Sequence, residues 1–533
     1  MNVTLCARPT LSASNLQAGL ASHPDRNFAD TLVHACTNGV DIGYTGPRSL
    51  RLSSNWPSAH QYSSAVEDSL AKDIRLGRKL GPFSHPPCSN FVGSPMGAFP
   101  KKRSPNKFRV IHDLSWPPGS SINEFISSEL FSLHYMSVDD VTNALSKLGS
   151  NAYIAKLDLS DAFHHIMVRP EDWELLGSTW INNMNGQTEY YVSTVLPFGL
   201  RSSPKLFNDF AVAAEYIMCD SGATYVNHYL DDFVTVGPPH SQECANNLSI
   251  MKSVCADLNF AVNPDKVVEA CTQLEFLGIW IDTEMMELRI SDDRLADTMA
   301  ELSLWAHRRR AKKRALLSLI GKLSFVCRVV RSGRTFLRRM IESAKKARHL
   351  HHYVRLDAGF HADVQWWIRF LPTWNGISIF YDVDWSSSVD IELYTDASNT
   401  ALAGYFQGSY FVELVHDPTL TSINYRELRA VVLAAATWGH LWAAKRILFH
   451  CDNLSVVHIL KSGTSRSPSL MTLVRSLMFL CATHSFELTA VYINTRDNDV
   501  ADALSRLDWY RFWRLVPDAD ILTTLPAPIP DGF

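Results

Sequence analysis

A pair of adjacent carboxylates lies between two strand-like runs in the segment HYLDDFVTVG, residues 228–237. Apolar and aromatic residues flank Asp231 and Asp232 on both sides, a pattern that predicts a β-hairpin. Two explanations fit negative charges at the tip of such a hairpin. One is an ordinary surface turn, in which Asp is common, and the other is a site where carboxylates bind metal ions. The pair alone does not distinguish them, so a third carboxylate is needed.

Asp158 supplies that third carboxylate. It lies at the end of the apolar run YIAKLDL (153–159), which predicts a mostly buried strand whose last residues reach a sheet edge. Acids gathered at one edge repel each other unless they hold cations, and carboxylate oxygens suit Mg²⁺. A pair of such ions, about 3.5–4 Å apart, can hold the attacking and leaving oxygens of a phosphoryl transfer.

Successive side chains of a strand point to opposite faces of the sheet, so adjacent acids are not equally placed to bind the metal ions. We expect Asp231 and Asp158 to be the main metal ligands, with Asp232 supporting them. Asp161, three residues after Asp158, is expected instead to be a helix N-cap or a surface residue.

Four motifs in chain order resemble those of reverse transcriptases: LDLSDAF, LPFGLRSSPKLF, YLDDF and FLGIWID, within about residues 90–290. Their order and separation make the resemblance far more specific than a single Y-L-D-D. The resemblance implies a multidomain α/β right-hand polymerase, with α/β fingers, an antiparallel-sheet palm and a helical thumb. The implied reaction is attack of a primer 3′-hydroxyl on a deoxynucleoside triphosphate, on an RNA or DNA template. The implied cofactor is a pair of Mg²⁺ ions, with Mn²⁺ as the alternative ion.

The same resemblance assigns contacts with the incoming nucleotide. Phe163 lies where these enzymes have an aromatic gate against a 2′-hydroxyl, and Lys102 and Arg109 would bind the triphosphate. Phe198 stands where retroviral enzymes have Gln, and Lys266 falls at a lysine that acts near the leaving pyrophosphate. The alternatives are a core aromatic residue for Phe163 and ordinary surface cations for Lys102 and Arg109.

Within the reverse transcriptases, the segments RVIHDLSWPPGSSIN, LPFGLRSSP and SLIGKLSFVCRVVRSGRTFLRR are most similar to retrotransposons of the DIRS type. Those elements use a tyrosine recombinase instead of a retroviral-type integrase. No recombinase is visible in this chain, so the resemblance implies a recombinase partner encoded elsewhere in the element.

Residues 301–350 carry 15 Lys and Arg against only Glu301 and Glu342. Apolar residues recur at helical spacing within this segment, which predicts a packed face and a cationic face. A cationic face of this strength is typical of a surface that binds the phosphates of a template–primer duplex. The alternatives are a nuclear localisation signal at RRRAKKR (308–314) and a solvated charged face without a partner.

A second series of acids begins at residue 391. Asp396 and Asp452 end the strand-like runs IELYTDAS and RILFHCDN, while Glu427 and Asp502 lie on predicted helices. An isolated acid near a helix start is usually explained by the helix dipole. The order of the acids and of the elements, however, resembles ribonuclease H, which implies a second two-metal site that cuts RNA–DNA hybrids. Such domains often have a His where this chain has Tyr492, which predicts altered turnover or metal dependence.

The expected domains are an irregular leader (1–62), fingers and palm (63–290), a basic helical thumb and connection (291–385), a ribonuclease H-like domain (386–510) and a Pro-rich, loose tail (511–533). Residues 63–83 are expected to form one amphipathic helix.

Composition excludes several other classes. The chain is 46% hydrophobic and 20% charged, which argues for large cores and against wholesale disorder. The ten cysteines show no C-x-x-C, as expected for reduced thiols of an intracellular protein, in the cytoplasm or nucleus. The first residues lack a signal-peptide pattern, and no apolar run reaches the roughly 18–20 residues of a membrane span.

The sequence therefore predicts an RNA-directed DNA polymerase with a C-terminal ribonuclease H. Its partners would be a primed RNA or DNA template, deoxynucleoside triphosphates and an RNA–DNA hybrid, without a membrane. The competing hypothesis is a catalytically inactive or co-opted nucleic-acid-binding relic of a retroelement. The presence of all seven expected acids argues against the relic.

Overall fold

The computed structural model describes residues 11–101, 104–183, 185–374, 376–417, 419 and 421–530. Lys102 lies outside these residues, so its predicted contact with a triphosphate stays a prediction. The chain forms two compact units, Met1–Ser137 with Tyr153–Cys271 and Val138–Ala152 with Thr272–Phe533.

The helices in chain order are α1 (Ala13–Gly19), α2 (Arg26–Asn38), α3 (Pro57–Gln61), α4 (Ser63–Arg75), α5 (Val138–Leu148), α6 (Ser203–Asp220), α7 (Glu243–Asp257), α8 (Asp292–Trp305), α9 (Lys313–Val326), α10 (Arg338–Lys345), α11 (Ala358–Trp374), α12 (Ile423–Trp438), α13 (Leu454–Ser462), α14 (Pro468–His484), α15 (Asp499–Ser505) and α16 (Trp509–Leu515).

The strands are β1 (Arg51–Leu52), β2 (Lys79–Phe83), β3 (Val92–Gly93), β4 (Met96–Lys101), β5 (Ser104–His112), β6 (Tyr153–Asp158), β7 (Gly177–Ile181), β8 (Thr188–Ser193), β9 (Asn227–Tyr229), β10 (Asp232–Gly237), β11 (Val268–Cys271), β12 (Gln273–Phe276), β13 (Ile279–Asp282), β14 (Glu287–Arg289), β15 (Arg310–Lys312), β16 (Tyr353–Arg355), β17 (Ile377–Ile379), β18 (Trp385–Ser387), β19 (Leu393–Ala397), β20 (Ala401–Phe406), β21 (Ser409–Leu414), β22 (Arg446–Cys451) and β23 (Glu487–Tyr492).

The first unit contains the antiparallel sheet that the sequence predicts around the first acids. Its strands lie in the order β11-β6-β10-β9, and β10 pairs with both β6 and β9. Leu157 of β6 and Phe233 of β10 are fully buried in a core that also holds Phe207 of α6 and Met251 of α7. The helices thus back one face of this sheet, while the polar ends of its strands remain at the rim. A separate five-stranded sheet, β1-β3-β7-β8-β2, and the hairpin β4-β5 complete the unit.

The leader prediction is wrong for the described part of residues 1–62. Helix α1 begins after Ser12, whose Oγ accepts from the backbone N–H of Asn15, and α2 begins after the N-cap Asp25. Leu16 and Leu32 of these helices are buried in the same core as β6 and β10. The polar composition concealed two short helices because each needs only a narrow apolar stripe when it packs on a preformed core.

The prediction of a single helix over 63–83 is correct only for its first part. Helix α4 ends at Arg75, and Gly77 adopts a φ of +72°, a left-handed conformation that favours glycine and ends a helix. The following residues form β2, in which Leu80 pairs with Val192 of β8. Tertiary pairing with β8 therefore overrides the apolar periodicity.

The basic segment of the second unit is mostly helical, as predicted. Leu316, Leu319, Ile320 and Leu323 of α9 are all buried, so one face of the helix packs. The segment also contains a short strand, β15, which pairs antiparallel with β16. The sequence did not predict this strand pair.

The C-terminal part of the second unit combines two small sheets with helices. The antiparallel order is β19-β20-β21, and the parallel order is β18-β22-β23. Helices α12 and α14 share a core with these strands, centred on residues such as Leu428, Phe449 and Leu477.

The C-terminal tail is attached rather than loose. The backbone N–H of Ala527 donates to Thr437 Oγ1 at 3.1 Å, and Ser476 Oγ donates to the carbonyl of Pro530 at 2.6 Å. In the described residues no helix combines the length and apolarity that crossing a bilayer demands. The cysteines that the structure describes are free thiols.

Candidate active sites

The first acidic cluster forms at the paired ends of β6 and β10. Asp158 and Asp232 lie directly opposite each other in the antiparallel register. Asp231 belongs to the turn before β10, and its carbonyl accepts from the backbone N–H of Leu159 at 2.9 Å. The three carboxylates predicted from the sequence are therefore on adjacent strand ends of one sheet.

The hairpin turn holds an unfavourable backbone conformation. Leu230 has a φ of +55°, the left-handed region that a residue with a branched side chain rarely adopts. Such strain persists where surrounding structure enforces it, and it clusters at functional sites. Here the left-handed backbone of Leu230 turns the chain and so positions both Asp231 and Asp232 at the rim of the sheet.

His228 supports this turn from the buried side. Its Nδ1 lies 2.5 Å from Glu215 Oε2 of α6, and its ring stacks on Phe233 at 5.2 Å. His228 is not among the site residues predicted from the sequence. The sequence did contain a signal for this supporting role, because His228 is a polar residue at a buried strand position, two residues before Leu230.

Burial and mutual repulsion change the protonation of the cluster. Burial, a hydrogen bond with Asp158 and the negative charges of Asp158 and Asp231 raise the pKa of Asp232 to about 7. Burial also raises the pKa of Asp231. Carboxylates that resist ionisation together become good ligands once a divalent cation compensates their charge.

Lys266 contributes the cation nearest to these acids. Its Nζ lies 2.9 Å from Oδ1 and 3.0 Å from Oδ2 of Asp158, and this hydrogen bond raises the pKa of the lysine. The structure thus brings Lys266 to the cluster, as its predicted role near the reacting phosphates requires.

Asp161 stays outside the cluster. It precedes the 3₁₀ turn Ala162–His165 at the N-cap position, although its side chain makes no capping hydrogen bond. Its Oδ2 pairs with Arg78 at 2.8 Å and with Lys72 at 3.4 Å. These cations account for Asp161 without a metal.

Of the other predicted nucleotide-contact residues that the structure describes, Phe163 and Phe198 form an aromatic pair, and Arg109 lies on a different element. The rings of Phe163 and Phe198 are 4.9 Å apart, and Phe163 also contacts Phe207 at 5.7 Å. Phe198 is 50% exposed, so this aromatic pair reaches the surface. Arg109 is exposed on β5, opposite Phe99, and the structure does not place it beside the acids.

The second acidic cluster forms in the C-terminal part of the second unit. Asp396 lies on β19, Glu427 in the second turn of α12, Asp452 directly after β22, and Asp502 on α15. Asn453 Nδ2 donates to Asn424 Oδ1 at 2.8 Å and so joins the end of β22 to α12. The strand–helix–strand–helix placement agrees with the sequence pattern.

Ligand atoms of Glu427, Cys451 and Asp452 all lie within 4.8 Å of one another. Burial and the charges of Asp396 and Asp452 raise the pKa of Glu427 to about 9. Burial raises the pKa of Asp396 to about 6, against a hydrogen bond from Ser505 that lowers it. Burial also raises the pKa of the Cys451 thiol to about 12.

Residues of α15, its C-terminal flank and α16 surround Asp502, and they are not among the site residues predicted from the sequence. Arg506 Nε donates to Asp502 Oδ1 and Arg511 Nη1 to Asp502 Oδ2, each at 2.7 Å. Ser505 Oγ donates to Asp396 Oδ2 at 2.5 Å. The spacing of Asp502, Ser505 and Arg506 by three and four residues on one helix face was a usable signal.

Tyr492 ends β23, opposite Cys451 in the parallel register, and is 47% exposed. It therefore lies beside the strand end that leads to Asp452. Related domains often have a His at this position, according to the resemblance found in the sequence.

The donor chemistry of both clusters suits hard divalent cations, although within the described residues Glu427, Cys451 and Asp452 are the one group of three whose ligand atoms all lie within 4.8 Å of one another. Each combines three or more carboxylates in a buried or half-buried setting, where like charges raise the pKa values of their neighbours. Oxygen ligands of this kind match Mg²⁺ or Mn²⁺ and not soft metals.

A family model described as "Reverse transcriptase (RNA-dependent DNA polymerase)" matches residues 99–281. This range contains the first acidic cluster.

Among curated proteins, the chain is 27% identical over 197 residues to a retrovirus-related Pol polyprotein from transposon opus of Drosophila melanogaster. The aligned residues cover 36% of this chain and 17% of the relative. It is 23% identical over 474 residues to the Pol polyprotein from transposon 297 of the same organism, covering 85% of this chain and 39% of the relative. The chain thus spans less than half the length of these relatives.

A solved structure of a foamy viral protease-reverse transcriptase in complex with double-stranded DNA is similar in fold. The TM-score is 0.51 at 14% sequence identity, over 91% of this chain and 82% of that chain. The predicted class, a mixed α/β polymerase fold followed by a further domain, is confirmed.

Proposed function

We propose that this chain, which contains a reverse transcriptase domain related to those of retrotransposon Pol polyproteins, is an RNA-directed DNA polymerase that also degrades the RNA of RNA–DNA hybrids. The observation that carries the polymerase proposal is the register of β6 on β10, which sets Asp158 opposite Asp232 with Asp231 in the adjoining turn. Reverse transcriptases use divalent metal ions, and the donor set here fits Mg²⁺, with Mn²⁺ as the alternative.

In this proposal each residue of the first cluster has a separate task. Asp158 and Asp231 would hold the metal ions and Asp232 would support them. Bound there, such ions would supply Lewis-acid activation of the primer hydroxyl and charge stabilisation of the leaving pyrophosphate. Lys266, a cation within 3.0 Å of Asp158, neutralises charge beside the reacting phosphates. Phe163 excludes the 2′-hydroxyl of ribonucleotides.

Lys102, Arg109 and Phe198 would complete the nucleotide-binding site. Lys102 and Arg109 would bind the triphosphate of the incoming nucleotide. Phe198 would line the nucleotide site through its contact with Phe163.

The second cluster would hydrolyse the RNA strand of a hybrid. Asp396, Glu427, Asp452 and Asp502 come from two strand ends and two helices, and their oxygens would hold two metal ions around one phosphate. Arg506 and Arg511, which bind Asp502 in the protein alone, are placed to contact the phosphate backbone of a hybrid. Tyr492 in place of His would alter turnover or metal dependence.

The nucleic-acid partners follow from the charge distribution. Exposed cations of residues 301–350 that have no acidic partner would bind the phosphates of the template and primer. The structurally similar foamy viral enzyme is in complex with double-stranded DNA, which supports a nucleic-acid partner for this fold. We further propose fingers and palm over 63–290, a thumb and connection over 291–385, and a ribonuclease H-like domain over 386–510.

We also propose that the chain belongs to the DIRS type and acts with a separate recombinase. The motifs RVIHDLSWPPGSSIN and LPFGLRSSP support this assignment. Co-purification with a tyrosine recombinase of the same element would test it.

A primer-extension assay on a primed RNA template with Mg²⁺ tests the proposed function directly. A labelled primer should lengthen with deoxynucleotides, and Asp231→Asn should abolish the product. Tight template binding without any extension, in Mg²⁺ or Mn²⁺, would instead support the inactive relic.

A further inference from the structure

The cations of the basic segment fall into two groups. Several are neutralised by acids, such as Lys322 by Glu301 and Arg338 by Glu342. Arg310 and Lys312 on β15 and Arg355 on β16 make no ion pair within the part of the chain that the structure describes. The β15–β16 strand pair therefore carries three cations whose charge no acid of the described residues neutralises.

The register of this strand pair is electrostatically unfavourable. Arg310 lies directly opposite Arg355, and Lys312 lies opposite Tyr353. Like charges at opposite positions destabilise a strand pair. Only the alternate residues Ala311 and Val354, both buried, contribute apolar packing. A protein that keeps this arrangement gains from an anionic ligand that neutralises the outer face.

Tyr353 gives the outer face a second kind of contact. Its side chain is 61% exposed, although burying a tyrosine ring is normally favourable. Arg310 Cζ lies 5.4 Å and Lys312 Nζ 5.8 Å from the ring centroid, distances at which cation–π attraction holds the ring in place. An open groove of about 310 Å³ adjoins the ring and is lined by Lys346, Tyr353, Val354, Arg355 and Asp357.

We propose that the outer face of the β15–β16 strand pair binds single-stranded nucleic acid, with Tyr353 stacking on an unpaired base and Arg310, Lys312 and Arg355 contacting the adjacent phosphates. An exposed aromatic ring between cations is the arrangement with which proteins bind single strands without sequence preference. A duplex offers phosphates but no free base face, so it would use the cations and not the ring. The inference rests on the proposed function for the identity of the polyanion, and it assigns this surface to the unpaired part of the template.

The rival explanation is a nuclear localisation signal at 308–314. In the structure, residues 310–312 of that segment are paired in a sheet, and the backbone N–H of Lys313 donates to the carbonyl of His352 at 2.9 Å. A signal read in an extended conformation would need these bonds to open. It also gives no role to Tyr353, which is distant in sequence from that segment.

Fluorescence anisotropy with the full chain, without nucleotides or added metal, tests the proposal. The probes are oligo-dT and oligo-U of about a dozen nucleotides and a duplex of equal length. Tyr353→Ala and Tyr353→Leu should weaken binding of both single strands by about 5- to 100-fold and leave duplex affinity within about twofold. Tyr353→Phe should bind as the unchanged protein does. The double variant Arg310→Ala/Lys312→Ala should reduce the salt dependence for single strands by about 1.4 log units per log unit of salt.

The matched control is Lys322→Ala/Arg338→Ala, which removes the same charge from cations that already have acidic partners, and it should leave single-strand affinity unchanged. The proposal is overturned if Tyr353→Leu binds single strands normally, or if it weakens duplex binding equally. Loss of nuclear import of a fused reporter in Arg310→Ala/Lys312→Ala, with unchanged oligonucleotide affinity, would assign the surface to localisation. Failure of the unchanged protein to extend a primer would refute the proposed function alone, because these binding measurements need no catalysis.

Discussion

Lys266 contacts both carboxylate oxygens of Asp158 at the edge of the first acidic cluster, because Lys266 Nζ lies 2.9 Å from Asp158 Oδ1 and 3.0 Å from Asp158 Oδ2. The lysine therefore engages the carboxylate that a metal ion would use. Its side chain is 59% exposed, whereas that of Asp158 is 7% exposed, so the ammonium can leave the carboxylate without unfolding the site.

This contact predicts that Lys266 competes with divalent ions. Lys266→Met should tighten Mn²⁺ binding by about two- to fivefold, the effect expected from losing an exposed ion pair, and should slow primer extension. Titration with Mn²⁺ followed by electron paramagnetic resonance measures the affinity. Lys266→Arg should behave as the unchanged protein, and so should Lys252→Met, which removes an exposed lysine paired with Glu269. Unaltered Mn²⁺ affinity in Lys266→Met would show that the contact does not compete with metal.

The two acidic clusters predict separable activities. Asp231→Asn should abolish primer extension and preserve hybrid cleavage, because it removes a ligand from the first cluster only. Asp452→Asn should do the reverse. Extension of a labelled primer and cleavage of a labelled hybrid, with the same preparations, measure the two effects.

Asp161→Asn is the matched control for these variants. Asp161 lies three residues from Asp158 yet pairs with Arg78 and Lys72, and Asn tolerates its left-handed backbone. It should retain both activities. Survival of both activities in Asp231→Asn and Asp452→Asn would refute the assignment of both clusters.

Local sequence signals were sufficient for the elements that carry the acids. Alternating apolar residues around Asp231 and Asp232, and the apolar run before Asp158, predicted strands that the structure contains. The same holds for the strands before Asp396 and Asp452. In each case an acid lies at or next to one end of a run that has to be buried, so burial fixes the strand and the acid marks the position of that end.

Contacts between distant segments could not be predicted in the same way. Gly77, with its left-handed backbone, ends α4 before β2, and the pairing of β2 with β8 joins segments more than a hundred residues apart. β15 pairs with β16 because the loop before Tyr353 brings the two strands together, and the sequence of that loop contains no pattern that predicts a strand. Likewise, Arg511 reaches Asp502 only because α16 packs back on α15.

The aromatic contact of Phe163 predicts its effect on sugar selection. Phe163→Ala removes the ring that packs on Phe198 and Phe207. Ribonucleotides should therefore be incorporated at least tenfold more efficiently relative to deoxynucleotides. A tenfold change corresponds to about 1.4 kcal/mol of lost discrimination between the two sugars. Phe163→Tyr keeps the ring and should retain the preference. Single-nucleotide addition with matched ribo- and deoxynucleotides measures the ratio, and an unchanged ratio in Phe163→Ala would remove Phe163 from this role.

The raised pKa of Asp232 predicts how stability depends on pH in a chelator. Its folded-state pKa is about 7 against an ordinary value of 3.8, so between these values the folded protein retains a proton that the unfolded chain has released. The free energy of unfolding should therefore fall as pH rises through this window, and Asp232 should add no further loss above it. Asp232→Asn should be more stable than the unchanged protein by roughly 1–2 kcal/mol at about pH 8, less than the full pKa difference would give because solvent screens this half-buried carboxylate, with no difference near pH 4. Urea unfolding at both values measures this difference, and equal stabilities at the higher pH would contradict it.

The buried pair of Asp363 on α11 and Arg475 on α14 predicts a strong dependence of the second unit on one ion pair. Both side chains are essentially inaccessible, at 0% and 1% exposure, and the arginine also lies over the ring of Phe336 at 4.6 Å. Asp363→Ala leaves a buried guanidinium without its counter-charge, so the free energy of unfolding should drop by about 3–5 kcal/mol. Glu342→Ala, which breaks the exposed pair with Arg338, should cost less than about 1 kcal/mol. Denaturant unfolding, followed by the fluorescence of the tryptophans on α11, compares the two variants. Equal losses of unfolding free energy would show that the buried pair stabilises the protein no more than the exposed pair does.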